Sequence, residues 1–123
     1  MNKIENLAYL FAIMIDSDGK VKVKELNTWY QIVKKRWPEV PTEQAGNALK
    51  NSLYILKSQN HQERIDNLEK VIVYLKSNLK RSELIYISKD LSKLIQADGI
   101  ISVEEMNLAG LLKWKLGLDI NFN

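Results

Sequence analysis

Two acidic stretches of this sequence carry residues whose type and spacing could bind a cation. Residues 16–27 and residues 96–107 each contain an Asp-Gly pair, followed seven positions after the aspartate by a glutamate. The aspartates of these pairs, Asp18 and Asp98, lie 80 positions apart, and the residues around them match in register. Such internal similarity predicts a duplicated helix–turn–helix unit in which both turns carry carboxylates.

The spacing invites comparison with a calcium-binding EF-hand loop. With Asp18 at loop position five, Gly19 falls at position six and Glu25 at position twelve, and the second copy has the same offsets. Position one must supply an oxygen ligand, but it is Met14 in the first copy and Leu94 in the second. We therefore reject a complete EF-hand and retain a weaker, differently built cation site as a hypothesis.

The position of the acids relative to the helices also bears on binding. Asp16 and Asp18 fall in the predicted last turn of a helix, where the macrodipole disfavours each anion by about 0.3–1 kcal/mol. A cation or a basic partner at the turns would relieve this penalty.

A purely structural interpretation of the turns stays open beside the binding one. Asp-Gly is a common turn pair, because the aspartate can cap the next helix and the glycine can adopt a positive φ. Residues 102–105, Ser-Val-Glu-Glu, match a capping box that explains Glu105 without any ligand. Turn and cap frequencies favour this interpretation.

Catalytic chemistry has little support in the sequence. The chain has no cysteine, which excludes thiolate catalysis and cysteine-ligated metals. His61 is the only histidine and lies in a predicted polar loop, residues 59–62, without an identifiable nucleophile or orienting acid. No glycine-rich phosphate loop or Gly-x-Ser-x-Gly motif is present. We predict that the protein is not an enzyme.

An alternative function rests on one helix face that mixes aromatic and basic residues. Trp29, Tyr30 and Trp37 share a helix with residues 34–36, Lys-Lys-Arg, a mixture that could bind nucleic acid or a protein partner. Packing in the core is the commoner role of such aromatics. We predict that role for the tryptophans and a core or core-rim position for the other tyrosines: Tyr9, Tyr54, Tyr74 and Tyr86.

The totals describe one small globular domain. The chain has 123 residues, 46% of them hydrophobic and 27% charged, with a net charge of +3, so we predict a single domain, 1–123. The charges are interspersed, which makes nucleic-acid binding a poor prediction. The apolar run at residues 7–15 is too short to cross a bilayer and does not resemble a signal peptide. We therefore expect a cytoplasmic protein without membrane insertion.

Apolar spacing predicts helices along nearly the whole chain. The first helix should present one apolar face, formed by Ile4, Leu7, Ala8, Phe11 and Ile15. The second should begin after Lys22 and stop at Trp37, because the residue before a proline avoids the α region. The third, with Thr42 as its N-cap, should run to about Ser58.

Three further helices complete the predicted fold. The fourth has a regular apolar stripe from Ile65 to Leu79, and the fifth, capped by Ser82, should break at Asp98-Gly99. The sixth should run over residues 102–116, ahead of a short tail. We predict an all-α, single-domain bundle of six to seven helices with a repeated helix–Asp-Gly turn–helix unit.

The sequence from 97 to 118 resembles the closing signature of the TerB-like family. Residues 97–105, Ala-Asp-Gly-Ile-Ile-Ser-Val-Glu-Glu, give its alanine–aspartate–glycine turn, small capping residue and acid, and Leu116-Gly117 gives its leucine–glycine ending. Residues 15–25 are similar to the N-terminal half of the family pattern, so the resemblance extends over almost the whole chain. The family includes tellurite-resistance proteins and the cytosolic domain of membrane-anchored DnaJ-type co-chaperones.

The resemblance implies an all-helical, non-enzymatic domain of a bacterial stress-response system. It also implies that the acids of the two turns gather into one cluster that binds a divalent cation (calcium, magnesium or manganese) or a partner protein. Carried over by position, the metal candidates are Asp16, Asp18, Glu25, Asp98, Glu104 and Glu105. Lysines at 20, 22 and 24 and Gln96 depart from the acidic pattern.

Overall fold

The computed structural model describes residues 2–15 and 22–96, together with the single residues 110, 113 and 115. These residues form five helices and no strand. The helices are α1 (Lys3–Ile15), α2 (Val23–Arg36), α3 (Thr42–Ser58), α4 (His61–Asn78) and α5 (Arg81–Gln96). The predicted all-α class is confirmed for this part of the chain. None of its helices has the length and apolar character that a membrane span requires.

Helix α1 is buried on all sides. It packs against α3, α4 and α5, and its residues 6–15 are buried without interruption. The prediction of a single apolar face was therefore wrong, because Tyr9, Leu10 and Ile13, which lie outside the predicted face, are buried as well as the residues of that face. The sequence carried the signal: residues 7–15 contain no charge, and a helix that is apolar all round is a buried one.

Helix α2 has the predicted bounds. It begins directly after Lys22 and ends before Trp37, whose backbone N–H donates to the Val33 carbonyl at 2.7 Å. Pro38 then prevents continuation, since it lacks an N–H and restricts the residue before it.

The N-cap of α3 differs by one position from the prediction. Pro41, with an extended backbone, occupies the cap, and its carbonyl accepts a hydrogen bond from the Ala45 N–H at 3.1 Å. Thr42 is therefore the first helical residue. The fixed φ of proline matches the extended backbone at this cap, where φ is −62° and ψ is 143°.

The connection between α3 and α4 is shorter than predicted. Asn60 Oδ1 accepts from the Glu63 N–H at 2.8 Å, while Glu63 Oε1 accepts from the Asn60 N–H at 3.0 Å. This capping box starts α4 at His61, so only Gln59 and Asn60 of the predicted loop are non-helical. His61 is exposed in the first turn.

Helix α5 begins one residue before the predicted cap. The carboxylate of Glu83 accepts from the Lys80 N–H at 3.0 Å, and the Leu84 N–H donates to the Lys80 carbonyl at 3.0 Å. Ser82 lies inside the first turn and is not the cap. The apolar stripes predicted for α4 and α5 are buried at Leu68, Ile72, Leu75, Leu79, Leu84, Ile87 and Leu91.

The remaining fold predictions fall mainly outside the described residues. The backbone of Gly110, Lys113 and Lys115, within the predicted sixth helix, is helical. The rest of that helix, the tail and both Asp-Gly pairs lie outside. The count of six to seven helices and the repeat therefore stay predictions.

Candidate binding site

One of the six predicted acidic ligands, Glu25, lies in the described part of the chain. The other five lie outside it: Asp16, Asp18, Asp98, Glu104 and Glu105. Within residues 2–15 and 22–96, no three histidine or carboxylate side chains come together as a possible metal site. The acidic cluster stays a prediction, and the helices that border it determine whether the two turns can approach each other.

Glu25 closes the first turn of α2. It is buried, and its Oε1 accepts a hydrogen bond from the Lys22 backbone N–H at 3.0 Å. This contact is the glutamate half of a capping box; an ammonium group has no acceptor, so Lys22 cannot supply the other half. The sequence analysis recognised a cap for Glu105 but missed the equivalent role of Glu25.

Helices α2 and α5 lie side by side and run antiparallel. Near the middle of α2, Thr28 lines the same depression as Lys93, which is close to the end of α5. Beyond the end of α2, Trp37 lines a second depression with Glu83, in the first turn of α5. Since the numbers rise along one helix as they fall along the other, the start of α2 and the end of α5 belong to the same end of the pair.

This register also gives the relative position of the start of α2 and the end of α5, which border the two acidic stretches. Val23 and Gln96 lie beyond Thr28 and Lys93 in the same direction, by about 5–8 Å along each axis. Helix α1 also contacts α2: the rings of Phe11 and Trp29 meet edge to face, with centroids 4.9 Å apart. The start of α2, which follows residues 16–21, and the end of α5, which precedes residue 97, are thus on a common side of the α2–α5 pair.

An ion pair joins α2 to α5. Arg36 Nε lies 3.0 Å from Asp90 Oδ2, and Arg36 Nη2 lies 3.1 Å from Asp90 Oδ1, a bidentate arrangement around a buried carboxylate. The hydrogen bond to Asp90 raises the pKa of the Arg36 guanidinium, which also stacks 4.4 Å from the ring centroid of Tyr86. The sequence analysis grouped Arg36 with Lys34 and Lys35 and missed its pairing with Asp90, although an acid between the apolar positions 87 and 91 was a usable signal.

The tryptophans of α2 belong to the core. Trp29 is fully buried, and its indole N–H donates to the Ala45 carbonyl at 2.9 Å. Trp37 is buried as well, so the predicted packing role is confirmed for both. Helix α3 packs closely against α2 at Gly46. A Cβ atom added at Gly46 would lie only 2.5 Å from the Tyr30 hydroxyl oxygen. Neither indole is available for stacking on a nucleic-acid base in this structure.

Tyr9 places a hydroxyl inside the bundle. It donates to Gln59 Oε1 at 2.9 Å and lies 3.4 Å from the Arg64 carbonyl oxygen. Burial raises the pKa of Tyr9, against a hydrogen bond with Asn67 and the charge of Arg64, which both lower it. The predicted core position of Tyr9 is confirmed.

Two other tyrosines are more exposed than predicted. Tyr54, on α3, is 76% exposed, and Tyr86, on α5, is 46% exposed, whereas Tyr74 is half-buried at the core rim as predicted. Tyr86 is held by cations, with Lys89 Nζ 5.9 Å and Arg36 Cζ 4.4 Å from its ring centroid.

The described residues define an all-α protein with a buried first helix and an ion-paired α2–α5 face. Comparisons with models of protein families, with curated proteins and with solved structures find no match to this chain. The resemblance to TerB-like proteins therefore stays a prediction from the sequence.

Proposed function

We propose that this chain is a TerB-like, non-enzymatic module of a cytoplasmic stress-response system of the tellurite-resistance type. Its six to seven helices would include a duplicated hairpin that brings two acidic turns together. The turns would bind a divalent cation (calcium, magnesium or manganese) or a partner protein, through Asp16, Asp18, Glu25, Asp98, Glu104 and Glu105.

The antiparallel register of α2 and α5 is the observation that carries the proposal. The last acid of the first stretch, Glu25, lies in the first turn of α2, and the second stretch begins at the end of α5. Two carboxylate-bearing segments that leave neighbouring helix ends can contribute ligands to one cation, as hard oxygen donors do for calcium and magnesium.

Helix electrostatics support an external cation. Asp16 directly follows α1, and Asp98 comes two residues after the end of α5. Both helix ends carry partial negative charge, which raises the cost of nearby carboxylates and favours a bound cation or a basic partner segment.

Calorimetric titration with calcium, magnesium and manganese tests the metal version. We expect heat of binding and a higher Tm for the unaltered protein, with a gain of about 2.7 kcal/mol at one hundred times the Kd. The Asp18→Asn/Asp98→Asn variant should lose both effects. Its matched control is Asp66→Asn/Glu69→Gln on the exposed side of α4, which should retain them. Absence of heat and of any Tm change in the unaltered protein would end this version.

Glu25 separates capping from metal binding. Glutamine also accepts the Lys22 N–H in a capping box, so Glu25→Gln should keep the metal-free stability within about 0.5 kcal/mol while weakening cation binding. Glu25→Ala should lose about 0.5–1.5 kcal/mol of stability as well, because the cap bond disappears. Unchanged cation affinity in Glu25→Gln would assign this carboxylate to the cap alone.

The partner version is tested with a lysine-rich peptide as the probe. Binding that disappears in Asp18→Asn/Asp98→Asn and persists in Asp66→Asn/Glu69→Gln would support it. If neither the metals nor this peptide bind, the acidic-turn function is overturned.

A further inference from the structure

A shallow groove runs between α2 and α5 on the outside of the bundle. It consists of two adjoining depressions that share Lys35 in their linings. The first, of about 120 Å³, includes Thr28 and Lys93; the second, of about 260 Å³, includes Trp37 and Tyr86. We call these two depressions together the α2–α5 groove.

The α2–α5 groove has an excess of positive charge. Three exposed lysines lie in it or beside it: Lys35, Lys89 and Lys93. The acids of the groove already have partners, since Asp90 is paired with Arg36 and Glu83 accepts the Lys80 N–H. Within the described residues, none of the three lysines is paired with a carboxylate. Among the described residues, the groove therefore carries more positive than negative charge.

An apolar and aromatic strip accompanies these lysines. Ile85, Lys89 and Lys93 follow one another at four-residue spacing, so they form a single row along α5. Ile85 is 39% exposed and Tyr86 is 46% exposed. Arg36 holds the Tyr86 ring from the α2 side, which fixes an aromatic anchor before any partner arrives.

We propose that the α2–α5 groove is a docking site for an acidic, amphipathic segment of a partner protein. Carboxylates of that segment would meet Lys35, Lys89 and Lys93, and an apolar side chain would pack on Ile85 and Tyr86. Charge complementarity selects such a segment, and an ordered anchor reduces the entropy lost on binding. The proposal uses residues of α2 and α5 alone and does not rest on the proposed function of the acidic turns.

The same residues argue for a protein segment over nucleic acid. Single strands are held by aromatic rings on which bases stack, but Trp29 and Trp37 are buried and Arg36 lies over the ring of Tyr86. Three unpaired lysines also give few phosphate contacts. An acidic peptide needs only the cations and the apolar strip.

Fluorescence anisotropy with a labelled amphipathic peptide rich in glutamate and leucine tests the proposal, with a glutamine-for-glutamate peptide and a labelled single-stranded oligonucleotide in parallel. We expect saturable binding of the acidic peptide that weakens as salt is raised, with little binding of the other two probes. Lys89→Glu and Lys93→Glu should each weaken binding about three- to tenfold. Lys50→Glu and Lys76→Glu, at exposed positions of α3 and α4, should leave it within about twofold.

The aromatic anchor has its own matched control. Tyr86→Ala should weaken peptide binding about tenfold, whereas Tyr54→Ala, at the exposed tyrosine of α3, should not. Circular dichroism of the helical signal verifies that each variant is folded. In NMR spectra of the isotope-labelled protein, addition of the acidic peptide should shift amide resonances along α2 and α5. Absence of peptide binding at low salt, equal losses in groove and control variants, or preference for the oligonucleotide would each overturn the proposal.

Discussion

Helices α1 and α2 are consecutive and of similar length, yet they have opposite relations to solvent. Of the 13 residues of α1, all of 6–15 are buried, whereas among the 14 residues of α2 the buried ones are Glu25, Trp29, Ile32 and Val33. Helix α1 is held by apolar packing against α3, α4 and α5 and by the contact of Phe11 with Trp29 of α2. Helix α2 uses a narrow apolar stripe together with an ion pair to α5.

This difference assigns α1 to the stability of the fold and α2, with α5, to contacts with a partner. The enclosed part of α1, residues 6–15, presents no side chain to solvent, so α1 serves as the centre on which the other helices pack. Helix α2 and its partner α5 carry the exposed cations and the exposed aromatic ring, and their common end borders both acidic stretches. The α2–α5 face therefore offers charged and aromatic side chains that a partner can contact, which the enclosed part of α1 does not.

Truncation of the core should give the largest effect and test whether α1 is enclosed. Leu7 belongs to the predicted apolar stripe and Leu10 does not, but both are fully buried. Leu7→Ala and Leu10→Ala should each cost about 2–5 kcal/mol in urea unfolding, because each leaves a cavity. The milder Ile13→Val, at about 0.5–1.5 kcal/mol, keeps the test available if the alanine variants do not fold.

A one-sided α1 would give a different pattern. In that case Leu10→Ala would cost much less than Leu7→Ala. Lys34→Ala, at an exposed position of α2, is the reference and should stay within about 0.5 kcal/mol of the unaltered protein.

The ion pair between α2 and α5 should give the next largest effect. Asp90→Ala should cost about 1–3 kcal/mol, because it removes charged hydrogen bonds and leaves Arg36 without its partner. Combined with Arg36→Met in a double-mutant cycle, the two changes should show a coupling energy of about 0.5–3 kcal/mol. Additive losses would mean that the pair contributes nothing beyond its separate residues, and Glu69→Gln on α4 provides the exposed control.

The bounds and apolar stripes of the individual helices could be predicted from the sequence better than the contacts between helices. The apolar stripe of α4 and the stop at Trp37-Pro38 depend on neighbouring residues, and both are confirmed. The helix starts were predicted one or two residues late: Thr42 is the first residue of α3 and not its cap, and α4 begins at His61, inside the predicted loop 59–62.

Tertiary contacts could not be derived in the same way. The enclosure of α1 depends on how three other helices pack, although its lack of charge was a sign of it. The pairing of Arg36 with Asp90 joins residues 54 positions apart, and nothing local indicates the register of α2 against α5. For the candidate acidic site, the residue types and their spacing could be predicted from the sequence, and the described helices add the role of Glu25 as a cap.

The smallest effect concerns the one hydroxyl that α1 carries into its apolar surroundings. Tyr9→Phe should cost about 0.5–1.5 kcal/mol at about pH 8, because Gln59 Oε1 loses its donor. The pH dependence follows from the burial of this hydroxyl. Burial raises the pKa of Tyr9 above the ordinary value of 10.0, so the unfolded chain loses this proton first as the pH rises.

The contribution of Tyr9 to the free energy of unfolding is therefore fully present below pH 10. It falls by up to about 1.4 kcal/mol per pH unit as the pH rises towards the folded-state pKa. Urea unfolding at about pH 11 should accordingly show a smaller difference between the unaltered protein and Tyr9→Phe. Tyr54→Phe, at an exposed ring, should show no difference at either pH, and a cost of Tyr9→Phe that stayed constant with pH would contradict a buried, proton-donating hydroxyl at this position.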